Sequence, residues 1–311
     1  MRLLPPAILA LGISASALLV VTSQTPASAH ALVLPATPSW SPPDWHPNRA
    51  LLESLPSLNA APADAPQLGL SSRSVFVWDV DAGHALYARS ADERRSVASL
   101  TKAVSALAMV SEDPDLEQEQ CIDRRFWPNR NGARSKLSTG ECYHGWDLVG
   151  AALVASDNRG AFGMQVLSGL PYDLFIDRMN DVALSLDMQL SSFVDPSGLE
   201  DDNVSTARDM TRAIIAVSGH PTLSLVATAP EWALLRSDRE AMRWLGSTDK
   251  LAPRDDVEVL AAKTGYTDTA GYCFSAVVRT ASGRKLAFTT LGAGTTGGRW
   301  GDAARILSTF R

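Results

Sequence analysis

Three apolar segments near the C-terminus, "VEVLAAKTGY", "GYCFSAVVRT" and "KLAFTTLGA", are separated only by short turns such as "ASGR", and this most narrows the folds open to the chain. Short turns join antiparallel strands, because a parallel pair needs a crossover of about a dozen residues or more. Towards the other end, "SVFVWDVDAGHALYAR" alternates about a "DAG" turn and reads as a hairpin from Ser74 to Arg89. Between the two groups the spacing is helical, over Asp147–Ala155, Phe162–Ser168, Tyr172–Leu184 and Thr206–Val217. In the last of these Met210, Ile214 and Val217 make one apolar face, and "FVDPSGL" interrupts the run as a tight turn. A final helix, "GDAARILSTF", closes the chain. Strands at both ends with helices between cannot form a series of βαβ units. The expected class is α+β, with one antiparallel sheet completed by the N-terminal hairpin and a helical insertion packed beside it.

Ahead of the hairpin, Arg2, the apolar run "AILALGISASALLVV" and the small-residue pattern "ASA" predict a signal peptide over residues 1–29, with His30 first in the mature protein. The alternative is an uncleaved anchor, for which the apolar run is short; no stable membrane anchor is expected after cleavage. Residues 30–67, rich in Pro, Ala and Ser as in "LPATPSWSPPDWHP", read as a linker, and residues 68–311 as the folded domain. Export implies an oxidising compartment, periplasmic or cell-wall associated, in which a bridge between Cys121 and Cys142 leaves Cys273 free and buried. A net charge of -6 and the absence of any Lys/Arg run argue against a nucleic-acid partner, since phosphate binding needs a basic face.

In "RSVASLTKAVSALAMV" Ser99 and Lys102 stand three residues apart, so a helix opening at Ser99 sets both side chains on one face. A lysine can take a proton from a hydroxyl only when neutral, and desolvation beside a second cation lowers its pKa in that direction. Alone, the pair reads rather as a helix cap followed by a solvated lysine. "VASDNRGAF" sets Ser156, Asp157 and Asn158 after an apolar helix, where such residues ordinarily make a turn. "LAAKTGYTDTAGYC" ends an apolar strand with Lys263, Thr264 and Gly265, the glycine allowing another backbone close. Each is weak in isolation. Ser-x-x-Lys, Ser-Asp-Asn and Lys-Thr-Gly in this order form the motif set shared by class A β-lactamases and penicillin-binding proteins.

With "SKLSTGECYHGWDLVGAALVASDNRGA", "FVDPSGLEDDNVSTARDMT" and "STDKL" added, the chain from about Leu70 onward resembles the low-molecular-mass penicillin-binding proteins, the serine D-Ala-D-Ala carboxypeptidases and related D,D-endopeptidases. The resemblance implies a β-lactamase/D,D-peptidase-like fold and an acyl-enzyme mechanism on peptidoglycan stem peptides, with β-lactams as inhibitors and no cofactor. It implies Ser99 as nucleophile, Lys102 as general base and Ser156 as proton relay to the leaving amine. Asn158 would bind the substrate amide. Lys263 would hold Ser156 and orient the terminal carboxylate, helped by the Thr264 hydroxyl, with Gly265 beside them in the substrate-binding strand, and the N–H groups of Ser99 and Tyr266 would form the oxyanion hole.

A class A-like β-lactamase needs a glutamate for its deacylating water, yet Glu200 stands three rather than four residues from Asn203 and already fits the peptidase pattern. A catalytically weak cell-wall binding module ordinarily shows a damaged motif, and all three motifs are intact. A metal hydrolase is disfavoured because His30, His46, His84, His144 and His220 lack a His-Glu-x-x-His spacing. The chain is expected to lack the C-terminal β-domain and amphipathic anchor of many carboxypeptidases, which brings it nearer the endopeptidase branch. Arg299, in "LGAGTTGGRW", stands where the carboxypeptidases have an arginine for the free carboxylate; otherwise it is a surface charge capping the final helix.

Overall fold

The computed structural model describes residues 66–126, 132–238, 242–251 and 256–311. The expected leader and nearly all of the linker lie outside these residues. In chain order the first elements are β1 (Ser74–Asp79), β2 (His84–Arg89), β3 (Arg95–Ser96), a 3-10 turn (Ala98–Leu100) and α1 (Thr101–Val110). After β4 (Glu119–Cys121) and β5 (Cys142–His144) come α2 (Gly145–Leu153), α3 (Asn158–Leu167) and α4 (Tyr172–Ser185). Next are β6 (Val204–Ser205), α5 (Ala207–Gly219), α6 (Pro221–Ala227) and the hairpin of β7 (Glu231–Leu235) and β8 (Met242–Gly246). The long strands β9 (Val257–Thr267), β10 (Gly271–Thr280) and β11 (Lys285–Ala293) lead into α7 (Thr296–Phe310).

The expected antiparallel sheet is present, ordered β2-β1-β11-β10-β9, with the N-terminal hairpin joined through β1 to β11. All six residues of β1 are buried, without the alternation of a half-exposed strand, because helices cover both faces. On one face α5 packs against β1, β9, β10 and β11, and Met210 and Ile214 join the larger core beneath it. On the other, Ile306, Leu307 and Phe310 of α7 pack with Val75, Val77, Phe274 and Phe288. The strand β9 is left at the sheet edge, facing the helical half of the molecule.

Asp302 fixes α7 to the chain entering β1. Its buried carboxylate accepts from Ser71 N at 2.8 Å, Ser71 Oγ at 3.0 Å, Ser72 N at 2.7 Å and Ser72 Oγ at 2.6 Å. Asp302→Ala leaves these donors without an acceptor, so a loss of about 2–4 kcal/mol is expected in denaturant unfolding, with the m-value unchanged.

The short helix α6, the β7–β8 hairpin and the two- and three-residue strands β3 to β6 escape the sequence reading. The hairpin docks on α2 because Gly150 leaves room for the Trp232 indole, which would stand 2.4 Å from a Cβ there. Trp232 Nε1 also donates to the buried Asp147 carboxylate at 3.3 Å. Cys121 and Cys142 are bridged across β4 and β5, as expected, and Cys273 is free and buried. The last helix begins at Thr296, five residues ahead of the segment read as helical, capped by Thr295 Oγ1 on Gly298 N.

Candidate active site

The three motifs converge at the edge of β9, where the sheet meets the helical half. Ser99 lies in the 3-10 turn, and the α-helix proper starts at Thr101 rather than at Ser99 as the spacing predicts. The correction has a local cause: Ala98, at φ +48, turns the chain through the left-handed region just before Ser99. Such a conformation costs a non-glycine residue about 1–3 kcal/mol and persists only where packing imposes it. Lys102, on the first turn of α1, still reaches Ser99, with Nζ 2.7 Å from Ser99 Oγ. It is wholly buried, and its Nζ also contacts Asn158 Oδ1 at 3.0 Å and the Ser197 carbonyl at 2.8 Å. Desolvation brings its pKa down to about 8, against the opposing pull of Asp195 and Asp157.

Ser156 lies in the join between α2 and α3, and Asn158 is the first residue of α3. Ser156 also has a left-handed backbone, at φ +57. Asp157 between them is the N-cap of α3, accepting from Arg159 N at 2.9 Å and Gly160 N at 3.2 Å. The same carboxylate accepts from Ser135 Oγ at 2.8 Å and Lys136 N at 2.5 Å, so the chain between the bridged cysteines braces this motif. Ser156 Oγ faces Lys263 Nζ at 2.8 Å, and that lysine also donates to the Thr264 carbonyl at 3.0 Å. Lys263 is held well below the usual lysine range by burial first, then by the charges of Lys102 and Arg299. Thr264 Oγ1 donates to Thr248 Oγ1 at 2.6 Å.

Gly265 permits the close approach that the sequence suggested. A Cβ there would stand 2.9 Å from the Val97 carbonyl and 3.2 Å from Ser99 N, so β9 passes directly beside the backbone of Ser99. Tyr266 follows, half-exposed, its ring 4.3 Å from that of Tyr272 and its hydroxyl donating to Asp268. Arg299 is not a surface charge: it is only 8% exposed, inside the first turn of α7. Its Nη1 donates to the carbonyls of Gly265 at 3.3 Å and Cys273 at 3.4 Å, and its guanidinium stacks over Tyr272 and Trp300. Among the described residues it pairs with no carboxylate, and its buried Nε has no partner.

Two participants carried no sequence signal as site residues. The Ser197 carbonyl is a backbone acceptor that any residue could supply, and Asp195 read only as part of a tight turn. Glu200, the residue that a β-lactamase reading would use, is exposed, while its backbone closes the loop around Asp195. Among the described residues, the grouping suited to a metal is Glu119 with Cys121 and Cys142, whose sulfurs are already bonded to each other.

Chemically, the cleft offers a hydroxyl beside a buried amine of lowered proton affinity, a second hydroxyl–lysine pair, and in Lys263 and Arg299 two basic side chains for an anion. The antiparallel sheet with its helical half is the fold of the D,D-peptidases. A D-alanyl-D-alanine carboxypeptidase from Mycobacterium tuberculosis H37Rv superposes with a TM-score of 0.71 at 22% identity, over 80% of this chain and 95% of that one. The Streptomyces K15 DD-transpeptidase does so at 0.69 and 20%, over 79% and 98%. The chain belongs to the D-alanyl-D-alanine carboxypeptidase family (peptidase S11), whose model matches residues 60–295. It is 30% identical over 226 residues to a D-alanyl-D-alanine endopeptidase of Escherichia coli K12, covering 73% of this chain and 72% of the relative. An endopeptidase of Pseudomonas aeruginosa PAO1 is 31% identical over 218 residues, 70% of each.

Proposed function

We propose that the protein is an exported serine D,D-peptidase that cuts D-Ala bonds in peptidoglycan stem peptides through an acyl-enzyme on Ser99. The observation that carries the reading is the 2.7 Å contact between Ser99 Oγ and the buried Lys102 Nζ. Lys102 takes the hydroxyl proton as Ser99 Oγ bonds to the carbonyl carbon of a D-Ala residue. The Ser99 and Tyr266 N–H groups receive the negative charge that develops on the carbonyl oxygen. Collapse breaks the C–N bond, and the proton taken up by Lys102 passes through Ser156, held by Lys263, to the departing amine, which leaves Lys102 neutral. Water then attacks the ester carbonyl, giving a proton to Lys102, and Lys102 returns that proton to Ser99 Oγ as the ester bond breaks, so that the serine hydroxyl and the neutral amine are both restored.

The extended stem peptide runs along the free edge of β9, with Asn158 binding its amide and Gly265 keeping that edge open. Lys263, Thr264 and Arg299 take the carboxylate next to the scissile bond. Penicillins carry an equivalent carboxylate beside their strained amide and acylate the same serine. Cleavage of cross-links is favoured over trimming of free ends, supported by the two endopeptidases that the chain resembles at 30% and 31% identity. Residues 1–29 direct export, residues 30–67 link, and the protein acts in the periplasm or cell wall. Among the described residues no helix is long and apolar enough to cross a membrane.

The direct test is incubation with a fluorescent penicillin, mass spectrometry of the labelled peptide, and chromatography of digested cross-linked muropeptides. A label on Ser99 and conversion of dimers to monomers are expected; an unlabelled protein that leaves muropeptides intact overturns the reading. Because the base must be neutral, the acylation rate should rise with pH through about 8 and then level off. A profile flat from pH 6 to about 10 would count against Lys102.

Arg299→Lys replaces a fork that can hold a carboxylate by two parallel hydrogen bonds with a single point donor. A fall of roughly 30- to 1000-fold in kcat/KM is expected on substrates ending in D-Ala-D-Ala, and slower acylation by penicillin. The diaminopimelate centre in a cross-link bears its own carboxylate, so cross-link cleavage should fall in parallel. An analogue with that carboxylate amidated should be turned over equally poorly by both forms.

A further inference from the structure

We propose that Asp195 is a positioning residue for the general base: it holds the Ser197 carbonyl against Lys102 Nζ so that the amine's lone pair is left facing Ser99. The inference rests on the reading of Lys102 as base.

A neutral amine has two N–H groups and one lone pair. Three oxygens surround Lys102 Nζ, at 2.7, 3.0 and 2.8 Å. Two of them, Asn158 Oδ1 and the Ser197 carbonyl, can only accept, whereas the Ser99 hydroxyl can donate. With both N–H groups engaged by the two acceptors, the lone pair has only the Ser99 O–H to face. Without the Ser197 carbonyl one N–H could turn to Ser99 and the lone pair would point elsewhere.

Asp195, itself 2% exposed, builds the turn that presents this carbonyl. Its Oδ1 accepts from Ser197 N and Ser197 Oγ, both at 2.5 Å, and from Gly198 N at 3.0 Å. Its Oδ2 accepts from Glu200 N at 2.9 Å and from Asn203 Nδ2. The turn is pressed onto the Ser99 side of the cleft. Gly198 has φ +80, and a Cβ there would lie 1.9 Å from the Ala98 carbonyl. From α1, Ser105 Oγ donates to the Pro196 carbonyl at 2.7 Å.

Asp195 forms no ion pair among the described residues, so its charge acts on Lys102 through space. The other charged groups at the two lysines are Asp157 at the start of α3, which acts on Lys102, and Lys102 itself, Arg299 of α7 and Asp249, which act on Lys263. Tyr172 of α4 also feels Asp195. Removing the Asp195 charge therefore favours the neutral form of Lys102, while releasing the turn misdirects its lone pair. The two effects have opposite signs in rate below pH 8 and separate in a pH profile.

The experiment measures the acylation rate of the full chain by a fluorescent penicillin against pH, with circular dichroism as the check of fold. Asp195→Asn should move the midpoint acid-ward by roughly one pH unit. Its plateau should fall at least about tenfold, part of the ~10²–10⁴ that a general base contributes. Asp202→Asn, an exposed neighbour on the same loop, should change neither. In Asp195→Asn the new amide faces the N–H groups of Glu200 and Asn203. The exchange Asp195→Asn with Asn203→Asp restores a donor–acceptor pair there and should bring the plateau back to less than tenfold below the native value. A folded Asp195→Asn with native midpoint and plateau overturns the proposal. So does a folded exchange variant that stays tenfold or more below native, and that variant decides if Asp195→Asn fails to fold. If the native protein is not acylated at all, it is the assignment of the base that fails.

Discussion

Ser99→Ala is expected to abolish penicillin labelling and to lower peptidase turnover by at least about 10⁴-fold, as when a nucleophile is removed from a preassembled site. The fold should survive. Among the described residues Ser99 Oγ makes a hydrogen bond with Lys102 Nζ alone, and the strained turn that carries it is set by Ala98 and by the packing of Gly265 and Gly198. Circular dichroism and the melting temperature should match the native protein within the range of an ordinary half-buried Ser→Ala change. Labelling that persists in the variant and maps to another serine, Ser156 included, would remove Ser99 from its role.

Lys102→Met should be nearly as damaging, about 10²–10⁴-fold in acylation rate, because the hydroxyl loses the group that takes its proton. Its stability should change with pH in a telling way. The folded-state pKa, about 8, lies below the ordinary value of 10.5, so between these values the unfolded chain binds more protons than the folded one. The native protein therefore gains stability from this lysine as pH rises through that window, up to about 3 kcal/mol, and below pH 8 carries the full cost of burying an ammonium. Methionine is free of that cost but leaves Asn158 Oδ1 and the Ser197 carbonyl unpaired, about 1–3 kcal/mol each. The two nearly cancel near pH 7. By pH 10 the variant should be less stable than the native protein by about 2.5 kcal/mol more than at pH 7. Denaturant melts at the two pH values check this; an unchanged difference would mean that Lys102 is ordinarily basic in the folded protein.

The side chains that converge in the cleft could be picked out in the sequence because each motif couples a polar residue to a local structural signature. Lys102 one turn after Ser99, Ser156 and Asn158 between two helices, and Lys263 with Gly265 on a strand are local patterns. The long strands were equally readable, since burial on both faces requires continuous apolar runs. What was missed is non-local. The β7–β8 hairpin is short and lacks the Asn-Gly or Asp-Gly turn that advertises one, and it is held by Trp232 against Gly150, a contact no window of sequence contains. Arg299 could be assigned to a helix end but not to its interior, because its burial depends on Tyr272 and Trp300 stacking around it. The Ser197 carbonyl is main chain, and no residue type marks it.

The pairing of β1 with β11, and of Ser71 with Asp302 across 231 residues, has a consequence for how the molecule comes into being. A hairpin of β1 and β2 alone has no sheet to join until β11 has been made, and Ser99 has no neighbouring edge until β9 has been made. Long-range pairings of this kind are entropically expensive to close and form late. A nascent chain carries its serine and lysine for most of its synthesis without a catalytic centre around them. Peptidase competence thus arrives as a single late event, with the last three strands, and a ribosome-bound or C-terminally truncated chain should be inert towards both penicillin and cell wall.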